Sequence, residues 1–333
     1  MKPPRISVLM PCFNHGDYIA EAIQSVLDQT FQDFEIIVVD DGSTDPVTRE
    51  TLSTLTTPRT RVLTTGNQGL PAARNHAARH ATGALFCALD ADDKLAPTWF
   101  EKAVRVLDER PDVMFVSHWL ETFGDEHWTW TPEGCELPSL LARNSVNGAA
   151  LVRREAFEAV SGYDESMREG CEDWDFWLRL VERGCPGTII PEVLFYYRRR
   201  ANSMSRDMLE EARYRRPLEV LIAKHEQAFR THLPSVLVAK EAEAQHLTRE
   251  IATIERDRIL TLEPALRRAR EELEAVTGKA DRARLQRARE EQNEKLTWRV
   301  GELERQVADL HGSWSWRVTA PLRRLYALLR GRR

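Results

Sequence analysis

The chain has 333 residues, an apolar share of 42% and a formal net charge of −5. That length suits one large domain with an extension, or two domains; the apolar share suffices for a real core; and the charge gives no reason to expect nucleic acid as a partner. Five scattered cysteines (Cys12, Cys87, Cys135, Cys171 and Cys185), odd in number and without a CxxC pair, argue against a disulfide framework or a zinc site and for a reducing compartment.

The apolar run that ends at Pro11 is too short for a signal-peptide core. Ile6 to Met10 predicts a buried strand, and the helical spacing of Ile19, Ala22, Ile23, Val26 and Leu27 predicts a helix over 17–29. Further strands are expected at 34–39, 61–63, 84–89 and 113–116. Further helices are expected at 71–80 and 97–109, with Pro97 placed in a first turn. Strands alternating with helices imply an α/β fold with a mainly parallel central sheet. Ligands of such sheets bind outside the carboxyl ends of the strands. No run of about 18 apolar residues predicts a membrane-spanning helix, so a cytoplasmic location is expected.

The strand ends are where the chemistry gathers. The first ends in Pro11-Cys12-Phe13-Asn14, the second in Asp40-Asp41-Gly42-Ser43-Thr44-Asp45, the fourth in Asp90-Ala91-Asp92-Asp93. Clustered carboxylates repel one another unless a cation or donor group is present. An Asp-Ala-Asp step puts two carboxylates on one side of an extended chain, a geometry that can hold Mg²⁺ or Mn²⁺ through oxygen ligands. A solvated turn accounts for any one of these acidic ends equally well. No GxGxxG or GxxxxGK[ST] loop is present, which disfavours a dehydrogenase or a kinase.

In order and spacing these stretches resemble family 2 glycosyltransferases of the GT-A fold. The resemblance runs over about residues 4–205. It is carried by Ser7 to Asn14, Ile23 to Phe31, Val38 to Asp45, Gly69, Ala73-Arg74-Asn75, Ala81-Thr82-Gly83 and Leu89 to Asp93. It implies a nucleotide-sugar-binding domain. Pro11 and Phe13 would line the base pocket, Phe13 where relatives often carry Tyr. Asp41 would accept the base N–H, assisted by Asp40. Arg74 would reach the base or the diphosphate, Asp90 would sit near the ribose, and Asp92 would bind a divalent cation, Mg²⁺ or Mn²⁺, with Asp93 nearby.

Farther on, Glu172-Asp173 opens an amphipathic helix carrying Phe176, Trp177 and Leu180. Carboxylates are favoured there by the helix dipole alone. The resemblance makes this pair the catalytic one, with Asp173 as the base that deprotonates an acceptor hydroxyl. Arg200 stands where many relatives carry His. It cannot ligate a metal, and would neutralise the diphosphate directly. Trp119, Trp128, Trp130, Trp174 and Trp177 are either sugar platforms or packing residues. Glu121 to Asn147 carries no readable code.

Composition shifts near residue 206, giving three expected segments: a catalytic domain at 1–205, a helical, coiled-coil region at 206–311 and a basic amphipathic helix at 312–333. Leu262, Leu266, Ala269, Leu273, Val276, Ala280 and Ala283, and then Leu296, Val300, Leu303, Val307 and Leu310, form heptad seams. Such seams need a second copy or a folded-back helix. The last segment joins an apolar face to Arg323, Arg324 and Arg330, which suits either an anionic membrane surface on the inner face of the cell membrane or docking on protein. The expected activity is inverting, hexosyl-type transfer from a UDP- or dTDP-linked sugar to a glycan or lipid-linked glycan acceptor, as in O-antigen, capsule or cell-wall synthesis. The rivals are a scaffold with a silent transferase domain and a sugar nucleotidyltransferase. The latter would show a Gly-rich basic loop that Pro11 to Gly16 lacks.

Overall fold

The computed structural model describes residues 2–200, 211–257, 260, 263–276 and 279–312. Hydrophobic runs without alternation make strands that are covered on both faces. β1 (Ile6–Cys12) and β4 (Leu85–Ala88) are buried along their whole length, and β2 (Phe34–Asp40) nearly so. β1 lies parallel to both, and β2 lies parallel to β3 (Thr60–Thr64). The packing helices are α1 (Ile19–Leu27), α2 (Pro46–Thr54), α3 (Leu70–His80) and α4 (Trp99–Glu109). The parallel half agrees with the sequence expectation.

The other half is mixed. It comprises the short β5 (Lys94–Leu95), β6 (Phe115–Gly124), β7 (Thr129–Trp130), β8 (Leu151–Arg153) and β9 (Gly187–Arg199). The order is β3-β2-β1-β4-β8-β6-β9-β5, with β7 on β6. β8 runs antiparallel to both β4 and β6, whereas β9 runs parallel to β6. β5 pairs antiparallel with the end of β9, Lys94 opposite Tyr196. This short ladder matters for the site, because it draws Arg198 to Arg200 beside Asp92 and Asp93.

Helices α5 (Leu137–Ala142), α6 (Arg154–Ala159) and α7 (Glu172–Glu182) complete this half. Phe176, Trp177, Leu178 and Leu180 of α7 are fully buried. Phe176 stacks on Tyr163 at 4.5 Å and Trp177 lies 5.0 Å from Phe115. Trp174 and Trp177 are therefore packing residues, while Trp128 is exposed. All five cysteines are free thiols.

The chain separates into two compact units, Met1–Leu233 and Pro234–Arg333. The first passes the boundary expected at 205 because α8 (Glu211–Lys224) and the start of α9 (Glu226–Asp257) belong to it. Leu221 and His225 are buried there. The imidazole of His225 pairs with Asp175 (Nε2 to Oδ1, 3.2 Å) and Glu182 (Nδ1 to Oε2, 2.9 Å). Asp175, wholly buried on α7, also meets Lys224 at 2.6 Å and Arg179 at 2.7 Å; Lys224 reaches Asp164 as well.

In the second unit, α10 (Glu263–Val276) and α11 (Lys279–Gly312) follow α9. Arg299 of α11 pairs with Glu250 of α9 at 2.8 Å, so the chain folds back on itself. Leu303 of the second expected seam is buried, and Leu296 and Val300 are half-buried. Leu262, the side chains of Leu273, Val276, Ala280, Ala283, Val307 and Leu310, and the basic segment at 313–333 lie outside the described residues. No described helix is long and apolar enough to cross a membrane.

The His225 cluster predicts a pH-dependent stability. Burial works against the charged imidazole, but Asp175 and Glu182 outweigh it and raise its pKa. Burial likewise works against the Asp175 carboxylate, and His225, Lys224 and Arg179 hold its pKa below the usual range. The imidazole's contribution is full below its ordinary pKa and fades as pH rises through the raised one; the carboxylate's is full above its ordinary pKa and fades as pH falls through the lowered one. The clamp is therefore strongest between about pH 4 and pH 6.5. His225→Ala should cost about 2 kcal/mol at pH 6, less than the usual loss for a broken buried pair because Lys224 and Arg179 remain. Thermal melts should show a smaller loss at pH 9.

Candidate active site

The parallel order of β2, β1 and β4 sets their carboxyl ends side by side, with Cys12 opposite Asp40. Asn14 stitches two of the ends together. Its Oδ1 accepts the amides of Thr44 (2.8 Å) and Asp45 (2.9 Å), and its Nδ2 donates to Thr44 Oγ1. The backbone there has φ +57, a left-handed conformation that Asn tolerates better than most residues. Pro11 lies within β1, and Phe13 is 40% exposed, so Phe13 is not a core residue.

Asp40 and Asp41 are both buried, and both are hydrogen-bonded to loops. Asp40 Oδ1 accepts the Ser43 amide at 2.9 Å and shapes the turn after β2. Asp41 Oδ1 accepts the Gln68 amide (2.9 Å) and Thr65 Oγ1 (3.1 Å), and its Oδ2 accepts the Gly69 amide (2.8 Å). Gly69 precedes α3 at φ +93, and a Cβ there would sit 2.8 Å from Arg168 Nε. Asp41 thus latches the loop that starts α3.

α3 carries Arg74, which is only 3% exposed. Expected to reach the base or the diphosphate, it is instead committed to two carboxylates. Nη1 donates to Glu172 (2.8 Å), and Nη2 donates to both oxygens of Asp90 (2.9 and 3.2 Å). The guanidinium also lies 5.2 Å over the Tyr163 ring. Burial would lower the Arg74 pKa, but Asp90 and Glu172 raise it well above normal.

Asp92 and Asp93 face different ways. Asp93 is buried and accepts the Arg198 amide at 2.8 Å. Burial, then the neighbouring charges of Asp92 and Asp90, raise its pKa well above normal. Expected beside a metal, Asp93 anchors β9 instead. Asp92 is paired with Arg200 and has His15 Nδ1 at 3.9 Å. His15 Nε2 in turn lies 3.1 Å from Arg200. Arg200 and Arg198 both lie over Tyr18, at 4.8 and 4.7 Å.

Glu172 and Asp173 open α7 just after Cys171, whose φ of +61 is unusual for a residue with a Cβ. Glu172 is buried on Arg74, and burial pushes its pKa up to about 7 against the pull of Arg74. Asp173 is half-buried. Its Oδ1 accepts the Trp174 amide (2.7 Å) and its Oδ2 accepts Asn144 Nδ2 (3.1 Å). Burial raises its pKa, while Arg74, Trp174 and Asn144 oppose that rise. His15, Tyr18 and Asn144 carried no signal in the sequence; their place became visible only when the loops came together.

The glycosyl transferase family 2 model matches residues 7–161. The chain is 30% identical over 212 residues to a putative glycosyltransferase, EpsE, of Bacillus subtilis (strain 168), covering 61% of this chain and 76% of EpsE. This chain is a family 2 glycosyltransferase. The transferase is also 30% identical over 219 residues to the putative teichuronic acid biosynthesis glycosyltransferase TuaG of the same organism, covering 63% of this chain and 85% of TuaG. Among solved structures it resembles S. aureus TarS with UDP-GlcNAc, at TM-score 0.54 and 20% identity over 69% of this chain and 72% of TarS 1–349. It also resembles the mannosyltransferase PcManGT of Pyrobaculum calidifontis with GDP-Man and Mn²⁺, at TM-score 0.57 and 19% identity over 93% of this chain and 86% of the other. The fold is of the GT-A type, with a helical C-terminal region.

Among the described residues no group of three or more His, Cys, Asp or Glu is gathered for a metal ion. Asp92 and His15 nevertheless offer an oxygen and a nitrogen close together. That donor set suits a cation of the Mg²⁺ or Mn²⁺ kind, which takes few protein ligands and completes its shell with phosphate oxygens and water.

Losing the Asp41 latch should act twice. Asp41→Ala should weaken nucleotide binding by about 1–3 kcal/mol, measured by calorimetric titration with UDP, and should lower the melting temperature because the amides of Gln68 and Gly69 lose their acceptor. Unchanged affinity with a lowered melting temperature would leave Asp41 a purely structural residue.

Proposed function

We propose that this transferase moves a sugar, with inversion, from a UDP- or dTDP-linked donor to a glycan or lipid-linked glycan acceptor in surface-polysaccharide synthesis. The observation that carries the reading is the division of labour at the head of α7. The charge of Glu172 is taken up by Arg74, while Asp173, half-exposed and held through both oxygens, keeps lone pairs for an incoming proton. The polysaccharide assignment is supported by the likeness to TuaG, and the nucleotide sugar by the UDP-GlcNAc bound to TarS. The reaction is expected in the cytoplasm, at the inner face of the membrane where a lipid-linked acceptor would lie. The helical region and the basic end would serve assembly or attachment there.

The chain's own residues would act as follows. Phe13 stacks on the base, with Pro11 beside it, and Asp41 accepts the base N–H with the lone-pair capacity its latch leaves. Asp90 sits at the ribose. Asp92, with His15 next to it, would hold the cation. When bound, that cation supplies Lewis-acid neutralisation of the leaving diphosphate. Arg200 turns from Asp92 to the diphosphate and adds a second positive charge. Asp173 takes the proton of the acceptor hydroxyl. The freed oxygen forms a bond to the anomeric carbon, the carbon–oxygen bond to the diphosphate breaks from the opposite face, and the electron pair leaves with the nucleoside diphosphate.

A panel of UDP-, dTDP- and GDP-sugars, read as nucleotide release, tests the donor class. A response confined to GDP-sugars would overturn it. With the responding donor, Asp173→Asn should reduce turnover by about 10²–10⁴-fold and leave donor affinity unchanged. A collapse of donor binding with intact turnover of bound enzyme would mean that Asp173 is misassigned.

The cation has its own test. EDTA and Asp92→Asn should each remove most turnover, and Mn²⁺ should restore it after EDTA only in the wild type. Full turnover in excess EDTA would leave Arg200 as the diphosphate's sole counter-charge at Asp92.

A further inference from the structure

The stretch from Glu121 to Asn147 was opaque as sequence, yet its last residues lie against the head of α7. Asn144 Nδ2 donates to Asp173 Oδ2 at 3.1 Å. The amide cannot turn over freely, because Asn144 Oδ1 accepts the Val146 amide at 3.3 Å. The loop that carries it is fastened on both sides. On one side, Trp174 Nε1 donates to Leu140 O at 2.6 Å and seats α5 on α7. On the other, the Asn147 amide donates to Ser117 Oγ on β6 (3.2 Å), and Asn147 Oδ1 accepts the Ala149 amide (2.7 Å). Val146 between them is fully buried. The loop also runs close to the donor side: a Cβ on Gly148 would lie 3.8 Å from Arg74 Nη2.

We propose that Asn144 is a positioning residue for the acceptor-activating carboxylate, fixing the rotamer of Asp173 from a loop that is itself pinned to α7 and to β6. The inference rests on the reading of Asp173 as the base. A carboxylate free to rotate about its χ torsions spends only part of its time with an oxygen toward the acceptor. Two donors on two different oxygens, the Trp174 amide and Asn144, remove that freedom. Each oxygen keeps a further lone pair, so neither hydrogen bond blocks proton uptake. Donors on a carboxylate also favour its charged form, the form a base must be in before reaction. That preference is needed here because burial pushes the other way. A small apolar residue at 144 would leave Asp173 held by one donor only. An Asp at 144 would set a second carboxylate against it.

The experiment uses the full chain and two readouts. The first is independent of substrate: ¹³C-carboxyl NMR titration of Asp173, its resonance assigned by its loss in Asp173→Asn. Asn144→Ala should move the Asp173 midpoint to higher pH, and the near-isosteric Asn144→Asp should move it further. Asn144→Ser, which keeps a short donor, should fall between Asn144→Ala and the wild type. The second readout is turnover of the UDP-sugar that responds in the donor panel. Asn144→Ala should lower kcat about tenfold, the worth of a hydrogen bond to a charged group. It should leave the donor KM unchanged and shift the acidic limb of the kcat profile upward. In an Asp173→Asn background it should have no further effect. An unmoved Asp173 midpoint in both Asn144→Ala and Asn144→Asp would overturn the proposal. So would wild-type kcat in Asn144→Ala alongside an inactive Asp173→Asn. Wild-type turnover in Asp173→Asn itself would instead remove the base assignment. Should Asn144→Ala melt far below the wild type, Asn144→Asp, which preserves shape, carries both comparisons.

Discussion

The buried guanidinium of Arg74 is the contact on which the rest of the site depends. One cation, almost without solvent, bridges Asp90 at the end of β4 and Glu172 at the head of α7. Removing a charge from water is costly unless its partners are well placed. Here two carboxylates and the face of Tyr163 surround it. The bridge ties the parallel half of the sheet, at whose strand ends Asp40, Asp41, Asp90 and Asp92 stand, to the helix that supplies Asp173. Replacing Arg74 with an apolar residue would leave Glu172 buried without its counter-charge, so the cleft could not keep its present form.

Acidic neighbours are divided between scaffold and cleft. Asp93 turns inward to the Arg198 amide while Asp92 meets Arg200; Glu172 turns inward to Arg74 while Asp173 stays half-exposed. In each pair one carboxylate is buried and holds an element in place, and the other is only partly buried. Asp41 latches the loop before α3 through both of its oxygens.

The segment after the catalytic sheet is part of the same logic within the first unit. His225 and Lys224 grip Asp175, two residues past Asp173 on the same helix. The aromatic packing of Phe176 and Trp177 and this charged grip together fix α7 along its length. Within the second unit, Arg299 of α11 pairs with Glu250 of α9.

The sequence by itself determined the parallel half of the sheet. Runs such as Ile6 to Met10 and Phe34 to Val39 are hydrophobic apart from Ser7 and Glu35 and do not alternate, which suits a strand covered on both faces. It also determined where the acids stand, because Asp40-Asp41, Asp90 to Asp93 and Glu172-Asp173 follow strands or open a helix. Elements formed by non-local pairing were hidden. β5 is two residues long and exists only because β9 lies beside it, and the antiparallel β8 is three residues held between β4 and β6. Only the tertiary structure decided what each acid does. Partners more than a hundred residues away in the chain (Arg198 for Asp93, Arg200 for Asp92) and others at closer range (Arg74 for Glu172, Asn144 for Asp173) set the surroundings of each carboxylate. Local pattern records the tendency to form a strand or a helix, whereas a carboxylate's role is fixed by the charge and the donors that the fold brings within about 3 Å of it.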